Sequence, residues 1–325
     1  MNDTIKKYIQ QIDQEIKNLS FGRHPENLYD PIQYILQLGG KRIRPLLTIL
    51  AYSLYRDDYQ AIIRPSLAVE VFHNFTLLHD DIMDKAPIRR GKPTVHHKWN
   101  ENTAILSGDV MLVRVYDLLL EADKDKIHCI ISDFNDCAAQ VCEGQQMDMD
   151  FESQPNVTEE DYIRMIRYKT AVLLGYSLAL GGILADAGDS DIQLLNDFGI
   201  NLGTGFQLMD DLLDVYADTL KFGKQVGGDI ITNKKTFLLI KALELTRGSA
   251  RDELIRWITM KNFDPAEKVN AVKMIYDETG IREIASGKMN EYFEIAHRDL
   301  EKIGVVDEKK QNLRVLTEYL MKRDN

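Results

Sequence analysis

Apolar side chains recur at the three-to-four-residue spacing of an α-helix along almost the whole chain, and this periodicity restricts the fold more than any other feature. It predicts helices over roughly 2–19, 28–54 with a break at Gly39–Gly40, 61–84, 101–121, 126–150, 159–185, 190–217, 233–245, 263–277, 280–303 and 308–322. Alternating apolar–polar runs closed by Asn-Gly or Asp-Gly are absent, so no hairpins are expected. Punctuation falls at Pro87, at 91–93, at 154–156, at 187–190 and in the Gly-rich stretch 222–229. None of these is long or low-complexity enough to be a domain linker. The expected architecture is all-α: a single domain over residues 1–325, a bundle of ten or more helices with one or two core helices apolar all round.

Composition excludes some functions. With 40 basic against 51 acidic residues the net charge is −11, the opposite of the basic face that nucleic-acid phosphates demand, so no nucleic-acid partner is expected. A small anionic substrate is still permitted, because local charge governs such a site and metal can screen the acids. Hydrophobic residues make up 44%, enough for a sizeable core. The most apolar run, 171–185, has only 15 residues and includes Gly and Ser. It is too short to span a bilayer and reads as a buried core helix, so no integral membrane segment is expected. Cys129, Cys137 and Cys142 form no disulfide or metal framework, which suits a reducing compartment. No apolar leader opens the chain, and the expected location is cytoplasmic.

Two acidic motifs carry the first chemical signal. In Asp80-Asp81-Ile82-Met83-Asp84, Asp80 and Asp84 share a helix face with Asp81 beside them. Like charges at this spacing cost roughly a few tenths of a kcal/mol in an isolated helix. A hard divalent cation offsets that cost, since Mg²⁺ takes oxygen ligands and completes its octahedron with substrate phosphates. A lone motif of this kind is as readily a solvated acidic helix end. Asp210-Asp211-Leu212-Leu213-Asp214, however, repeats the spacing 130 residues later, again after an apolar stretch. Two acidic clusters ending buried helices would repel each other, and metal between them is the economical explanation.

Basic motifs accompany the acids. Gly39-Gly40-Lys41-Arg42-Ile43-Arg44-Pro45 breaks one helix and opens the next, projecting Lys41 and Arg44 near a helix start, where backbone N–H groups add to the pull on an anion. Arg89-Arg90-Gly91-Lys92-Pro93 follows the first acidic motif and suits either a surface salt-bridge cluster or a second diphosphate site. Lys169-Thr170 precedes the apolar run, and Lys224 and Lys234 lie in and after the Gly-rich stretch, where flexible lysines can close over a polyanion. Each lysine taken alone is equally a solvated surface charge.

In this order the motifs GGKRIRP, LLHDDIMD, RRGKPTVH, GQQMD, YKT, FQLMDDLLDV and GKQVGGDI resemble the trans-isoprenyl diphosphate synthases, the family of farnesyl and geranylgeranyl diphosphate synthases. The resemblance runs from about residue 30 to 240 by motif and to the C-terminus by helix pattern. It implies an isoprenoid synthase-like bundle around a deep central cavity, a homodimer, and a reaction in which isopentenyl diphosphate is joined to an allylic diphosphate (dimethylallyl, geranyl or farnesyl) with release of diphosphate. It also implies three Mg²⁺ ions ligated by Asp80, Asp84 and Asp210, with Asp81 and Asp214 close by or acting through water. Arg89, Lys169 and Lys224 would hold the allylic diphosphate, and Lys41, Arg44, His73, Arg90 and Lys234 the isopentenyl diphosphate. The Thr170 and Gln207 side-chain oxygens and the Lys169 carbonyl would steady the allylic cation.

The residues one turn before Asp80 bear on product length. An α-helical turn advances roughly 5.4 Å, comparable to one isoprene unit, so Phe75 can floor the cavity, with Thr76 beside it and Phe72 a turn deeper. Phe75 with Thr76 and no insertion in the first motif resembles the archaeal geranylgeranyl pattern, implying a C20 product, with C15 the neighbouring outcome. Two other readings share part of the pattern. A class I terpene cyclase carries the first acidic motif but normally has an Asn/Ser/Glu second motif. A non-catalytic subunit of a heteromeric prenyl synthase usually loses one motif, and this chain keeps both.

Overall fold

The computed structural model describes residues 2–217 and 227–321. Lys224 therefore lies outside the described residues. The first helices are α1 (Asp3–Asn18), α2 (Glu26–Gln37), α3 (Ile43–Tyr52) and α4 (Ile63–Met83). A hairpin, β1 (Ile88–Arg89) with β2 (Lys92–Pro93), precedes α5 (Val95–Lys98), α6 (Glu101–Leu119), α7 (Ile127–Ser153) and α8 (Glu159–Ile166). A π-helical turn, Arg167–Ala171, joins α8 to α9 (Val172–Leu184), and α10 (Asp189–Tyr216) follows. Beyond it come α11 (Gly228–Thr232), α12 (Phe237–Leu245), α13 (Gly248–Thr259), α14 (Pro265–Glu278), α15 (Ile281–Lys302) and α16 (Asp307–Met321). Several helices open on side chains that satisfy their first N–H groups. Asn2 accepts from Ile5 N–H, Asn100 from Thr103 N–H, and Thr158 with Asp161 forms a reciprocal capping box.

The chain divides into two compact units. The first comprises Met1–Asp136, Tyr176–Asn196 and Ile303–Leu316. Its middle is α4, buried on nearly every face, with Leu67, Val69, Val71 and Phe72 at 1% exposure or less. Close approach depends on missing side chains. A Cβ at Gly108 of α6 would sit 2.4 Å from His79 Nε2, and one at Gly181 would sit 2.3 Å from the Thr48 carbonyl. The second unit comprises Cys137–Gly175, Asp197–Lys302 and Thr317–Asn325. Tyr162, Met165, Leu208, Phe237, Leu254, Trp257, Ile275 and Ile281 are among its core. The run 171–185 is buried throughout, as its composition predicts, and no helix among the described residues is long and apolar enough to cross a membrane.

Three departures from the sequence expectation have local causes. The helix expected over 159–185 is interrupted by the π-turn, where the backbone is crowded by glycines. A Cβ at Gly144 would lie 2.2 Å from Lys169 N, and one at Gly203 2.7 Å from Ala171 Cα. The stretch after 245 holds a further helix, α13, whose buried stripe is only Leu254 and Trp257. The hairpin turns through Arg90 and Gly91 at φ 52° and 74°, the two positive values that a tight two-residue loop requires, with arginine where asparagine or aspartate is usual.

Candidate active site

Both acidic motifs sit in the last turns of their helices, Asp80–Asp84 on α4 and Asp210–Asp214 on α10. That is the unfavourable end for carboxylates, since the helix C-terminus already carries partial negative charge. Each motif therefore needs positive charge or hydrogen-bond donors brought to it.

In the first unit the hairpin brings them. The Ala86 N–H donates to the Asp81 carbonyl at 2.9 Å, and Thr94 Oγ1 donates to the Ala86 carbonyl at 2.7 Å, folding the hairpin back on α4. Arg89 then reaches Asp81 Oδ1 with Nε at 2.8 Å and Nη2 at 2.7 Å, and Asp80 Oδ2 at 3.4 Å. Asp81 is 2% exposed, and burial pushes its carboxyl up to about 6 even though Arg89 pulls it down. Asp80 is half-buried and Asp84 exposed. The middle acid thus orients an arginine, while the outer two are less buried.

The Gly39–Gly40 turn is built by a residue whose role the sequence reading missed. Arg42, left-handed at φ 51° and 4% exposed, donates to Asp13 at 2.9 Å, to Glu70 at 2.7 Å and to the Leu36 carbonyl at 2.8 Å. It ties α2, the start of α3 and α4 together and leaves Lys41 exposed on the turn and Arg44 in the first turn of α3. Arg90 Nη1 donates to the Gly39 carbonyl, and a Cβ on Gly40 would meet the Arg90 guanidinium at 3.2 Å. His73, two turns before Asp80, feels the same cations. Burial first, then Arg44, Arg90, Arg89 and Arg42, hold its pKa well below the ordinary imidazole value, so it is neutral at pH 7. Lys41, Arg44, His73, Arg89 and Arg90 are thus drawn into one neighbourhood of the first unit.

Beneath the motif, Phe75 is 8% exposed, with its ring 4.7 Å from His79 and 5.6 Å from Phe72. Phe72 packs on Phe134 at 5.1 Å and is 1% exposed, so it lies deeper in the core. Thr76 is half-buried and donates its hydroxyl to the His73 carbonyl at 2.8 Å.

In the second unit the π-turn presents Lys169 and Thr170. Gly144 of GQQMD lets that turn approach, and Asp148, from the same motif, accepts from Lys169 Nζ at 2.7 Å and pairs with Lys234 Nζ at 3.6 Å. Burial raises the Asp148 carboxyl, but Lys234 and Lys169 outweigh it and hold it below the usual range. Asp148 is a second residue whose role the sequence reading missed, though its motif was in view. Lys234 follows Asn233, left-handed at φ 57°, whose side chain donates to the Ile258 carbonyl of α13 at 3.0 Å. The buried Lys268 donates to Asn233 Oδ1 at 2.6 Å and to the Ile231 carbonyl at 3.1 Å, fixing this segment.

On α10, Asp210 and Asp214 are half-buried and Asp211 is buried. Asp214 accepts from the Asp229 N–H at 3.0 Å. Asp211 accepts a short hydrogen bond from the Tyr162 hydroxyl, and burial pushes its carboxyl up to about 7 despite that donor. Gln207 contacts Asp211 and Thr170, each at 3.4 Å.

The donor set bears on metal. The motifs offer only carboxylate oxygens, the hard ligands Mg²⁺ takes. Among the described residues no group of three or more His, Cys, Asp or Glu side chains could hold a metal ion by itself. An ion bound by one or two carboxylates and completed by substrate phosphates fits this arrangement, whereas an all-protein cage does not.

Comparison with known proteins agrees with the motifs. Residues 25–278 match the polyprenyl synthetase family. The chain is 38% identical over 271 residues to a short chain isoprenyl diphosphate synthase of Methanocaldococcus jannaschii, covering 83% of this chain and 82% of that one. It is 35% identical to a geranylgeranyl pyrophosphate synthase of Geoglobus acetivorans, with 100% of each covered. A crystal structure of a geranylgeranyl pyrophosphate synthase superposes with a TM-score of 0.94 at 42% identity, again covering 100% of both chains. The matched span includes both aspartate motifs and the basic turns beside the first, and the chain belongs to the polyprenyl synthetase family and is an all-α prenyltransferase.

Proposed function

We propose that this enzyme joins isopentenyl diphosphate to an allylic diphosphate, releasing diphosphate, and that its main product is geranylgeranyl diphosphate (C20), with farnesyl diphosphate (C15) the neighbouring outcome. The observation that carries the reading is the shared build of the two acidic motifs. In each, the buried middle acid is tied to a donor, Arg89 or Tyr162, while the outer acids are more exposed and lysines or arginines stand near. The family match runs through residues of both compact units, which supports reading 1–325 as one catalytic domain.

In this reading Asp80, Asp84 and Asp210, with Asp81 and Asp214 in support, hold three Mg²⁺ ions together with the allylic diphosphate. Bound Mg²⁺ supplies charge neutralisation for the departing diphosphate. Arg89, Lys169 and Lys224 bind the same diphosphate and stabilise its developing charge as the C–O bond breaks. Thr170 Oγ1, Gln207 Oε1 and the Lys169 carbonyl turn electron-rich oxygens to the allylic cation, with water kept out. Lys41, Arg44, neutral His73, Arg90 and Lys234 hold isopentenyl diphosphate so that its double bond attacks that cation. The proton lost on elimination goes to the released diphosphate, because no side chain among the described residues stands out as a general base.

Phe75, at the edge of the core with Phe72 and Phe134 packed behind it, suits a floor that stops growth at a short chain. The names of the relatives support the same length. An exposed apolar stripe of Leu106 and Val113 on α6 and Leu120 at its C-cap, at seven-residue spacing, supports a homodimer packed through that helix. The three free cysteines support a cytoplasmic location. Incubation with Mg²⁺, isopentenyl diphosphate and each allylic primer in turn, followed by chromatography of the prenyl products, tests the reading. C20 product is expected, and unreacted primer in every mixture would refute it.

A further inference from the structure

Four side chains of the second unit form a hydrogen-bonded chain whose direction is dictated by its chemistry. Tyr162 Oη donates to Asp211 Oδ2, Gln207 Nε2 donates to Asp211 Oδ1 at 3.4 Å, and Thr170 Oγ1 donates to Gln207 Oε1 at 3.4 Å. A carboxamide can present either end to a neighbour, and nothing in its shape chooses. Asp211 chooses, because both of its side-chain oxygens accept here, Oδ2 from the Tyr162 hydroxyl and Oδ1 from the Gln207 NH₂. With its NH₂ committed to Asp211, Gln207 must turn its oxygen toward Thr170, and Thr170 must spend its proton on that oxygen. Every hydrogen in the chain then points toward Asp211 and every free lone pair away from it.

Both anchors are built for the task. Tyr162 is 2% exposed and Asp211 4% exposed. Tyr162 lies in α8, which leads into the π-turn carrying Thr170, and Asp211 lies in α10. The equivalent acid of the first motif, Asp81, is held by the cation Arg89 instead. A neutral phenol adds a donor without adding a positive charge beside the two oxygens.

We infer that Tyr162 and Asp211 are positioning residues, which fix the Gln207 amide so that its oxygen and that of Thr170, rather than an N–H, face the cationic carbon of the allylic substrate. The inference rests on the proposed condensation, in which these two oxygens steady the cation. It assigns the middle acid of the second motif an orienting role and gives a buried tyrosine outside the motifs a part in the reaction.

A double-mutant cycle on kcat tests it. Tyr162→Phe is expected to lower kcat about tenfold, the loss of one hydrogen bond to a charged group. KM for both diphosphates and the Mg²⁺ dependence should stay within about twofold, because neither anchor touches them. In a Gln207→Leu background, where no amide remains to orient, the same substitution should change kcat by less than about twofold. A merely structural role would give the same factor in both backgrounds, and that result would overturn the inference. Should Tyr162→Phe fail to fold, as judged by its melting curve, Asp211→Asn runs through the same cycle. Its loss is expected to be larger, about a hundredfold, because its NH₂ would draw the Gln207 oxygen back toward itself. Equal losses for Asp211→Asn in the two backgrounds would likewise overturn the inference. A wild type that condenses normally with an additive cycle sinks this inference alone, whereas a wild type inert toward every primer sinks the proposed function and the inference with it.

Discussion

The two aspartate motifs read alike in sequence and are wired differently. In the first, the middle acid takes its cation directly, with Arg89 on Asp81 at 2.7 Å. In the second, the middle acid takes a phenol, and the nearby lysines are held by an acid outside the motif, Asp148, at 2.7 Å from Lys169 and 3.6 Å from Lys234. One motif therefore carries its own positive charge, while the other has its cations stationed beside it. The difference teaches that identical acidic spacing sets only where carboxylates stand. What surrounds the middle carboxylate decides whether it delivers an arginine or orients a neutral amide.

The outer acids, by contrast, should behave alike. Asp80→Ala and Asp210→Ala are each expected to lower kcat about a thousandfold, at the upper end of losses for removing one stabiliser of developing charge. A steady-state assay with saturating Mg²⁺ checks this, and a loss below tenfold at either position would break the symmetry. Next in size come the acids that station cations. Asp81→Asn and Asp148→Asn should each cut kcat/KM for the allylic substrate about ten- to a hundredfold, the worth of one or two charge-assisted hydrogen bonds. If Asp148→Asn had no effect, the lysines of the second unit would not depend on it. Phe75→Ala should leave the overall rate within about threefold but lengthen the product by one or more isoprene units, roughly one per helical turn opened. An unchanged product distribution would remove Phe75 as the floor.

The smallest effect concerns pH. His73 has a folded pKa well below its unfolded value near 6.5, so the unfolded chain binds the proton more readily. Stability from neutral His73 is present above about pH 6.5 and is lost as pH falls below it. Asp81 and Asp211 shift the opposite way, so total stability is a poor readout. The difference in melting temperature between wild type and His73→Gln isolates the term, and it should shrink or reverse from pH 7.5 to pH 5.5.

The helical architecture and both acidic motifs were legible in the sequence because periodicity and spacing are local properties. The basic residues of the first unit were legible for the same reason, since Lys41, Arg44, Arg89 and Arg90 sit in short motifs with glycine or proline at their turns. What stayed hidden depends on partners far apart in sequence. Arg42 reads as one more cation in a basic turn, and only its bonds to Asp13 and Glu70 reveal an anchor. Tyr162 reads as an apolar helix position until Asp211, 49 residues on, accepts its hydrogen bond. The π-turn has no signature of its own, because the glycines that crowd it, Gly144 and Gly203, lie on other helices. α13 shows too narrow an apolar stripe to stand out, yet it supports the Lys234 segment through Asn233.

A condensation, unlike a cyclisation, makes release of one product depend on a second substrate. Diphosphate release from geranyl or farnesyl diphosphate should be measured with Mg²⁺, with and without isopentenyl diphosphate. Two diphosphate-binding regions working in one condensation require release to rise at least about tenfold when isopentenyl diphosphate is added, with one diphosphate freed per isoprene unit incorporated. Equal release without it would contradict the account and point to ionisation alone, the chemistry of a cyclase.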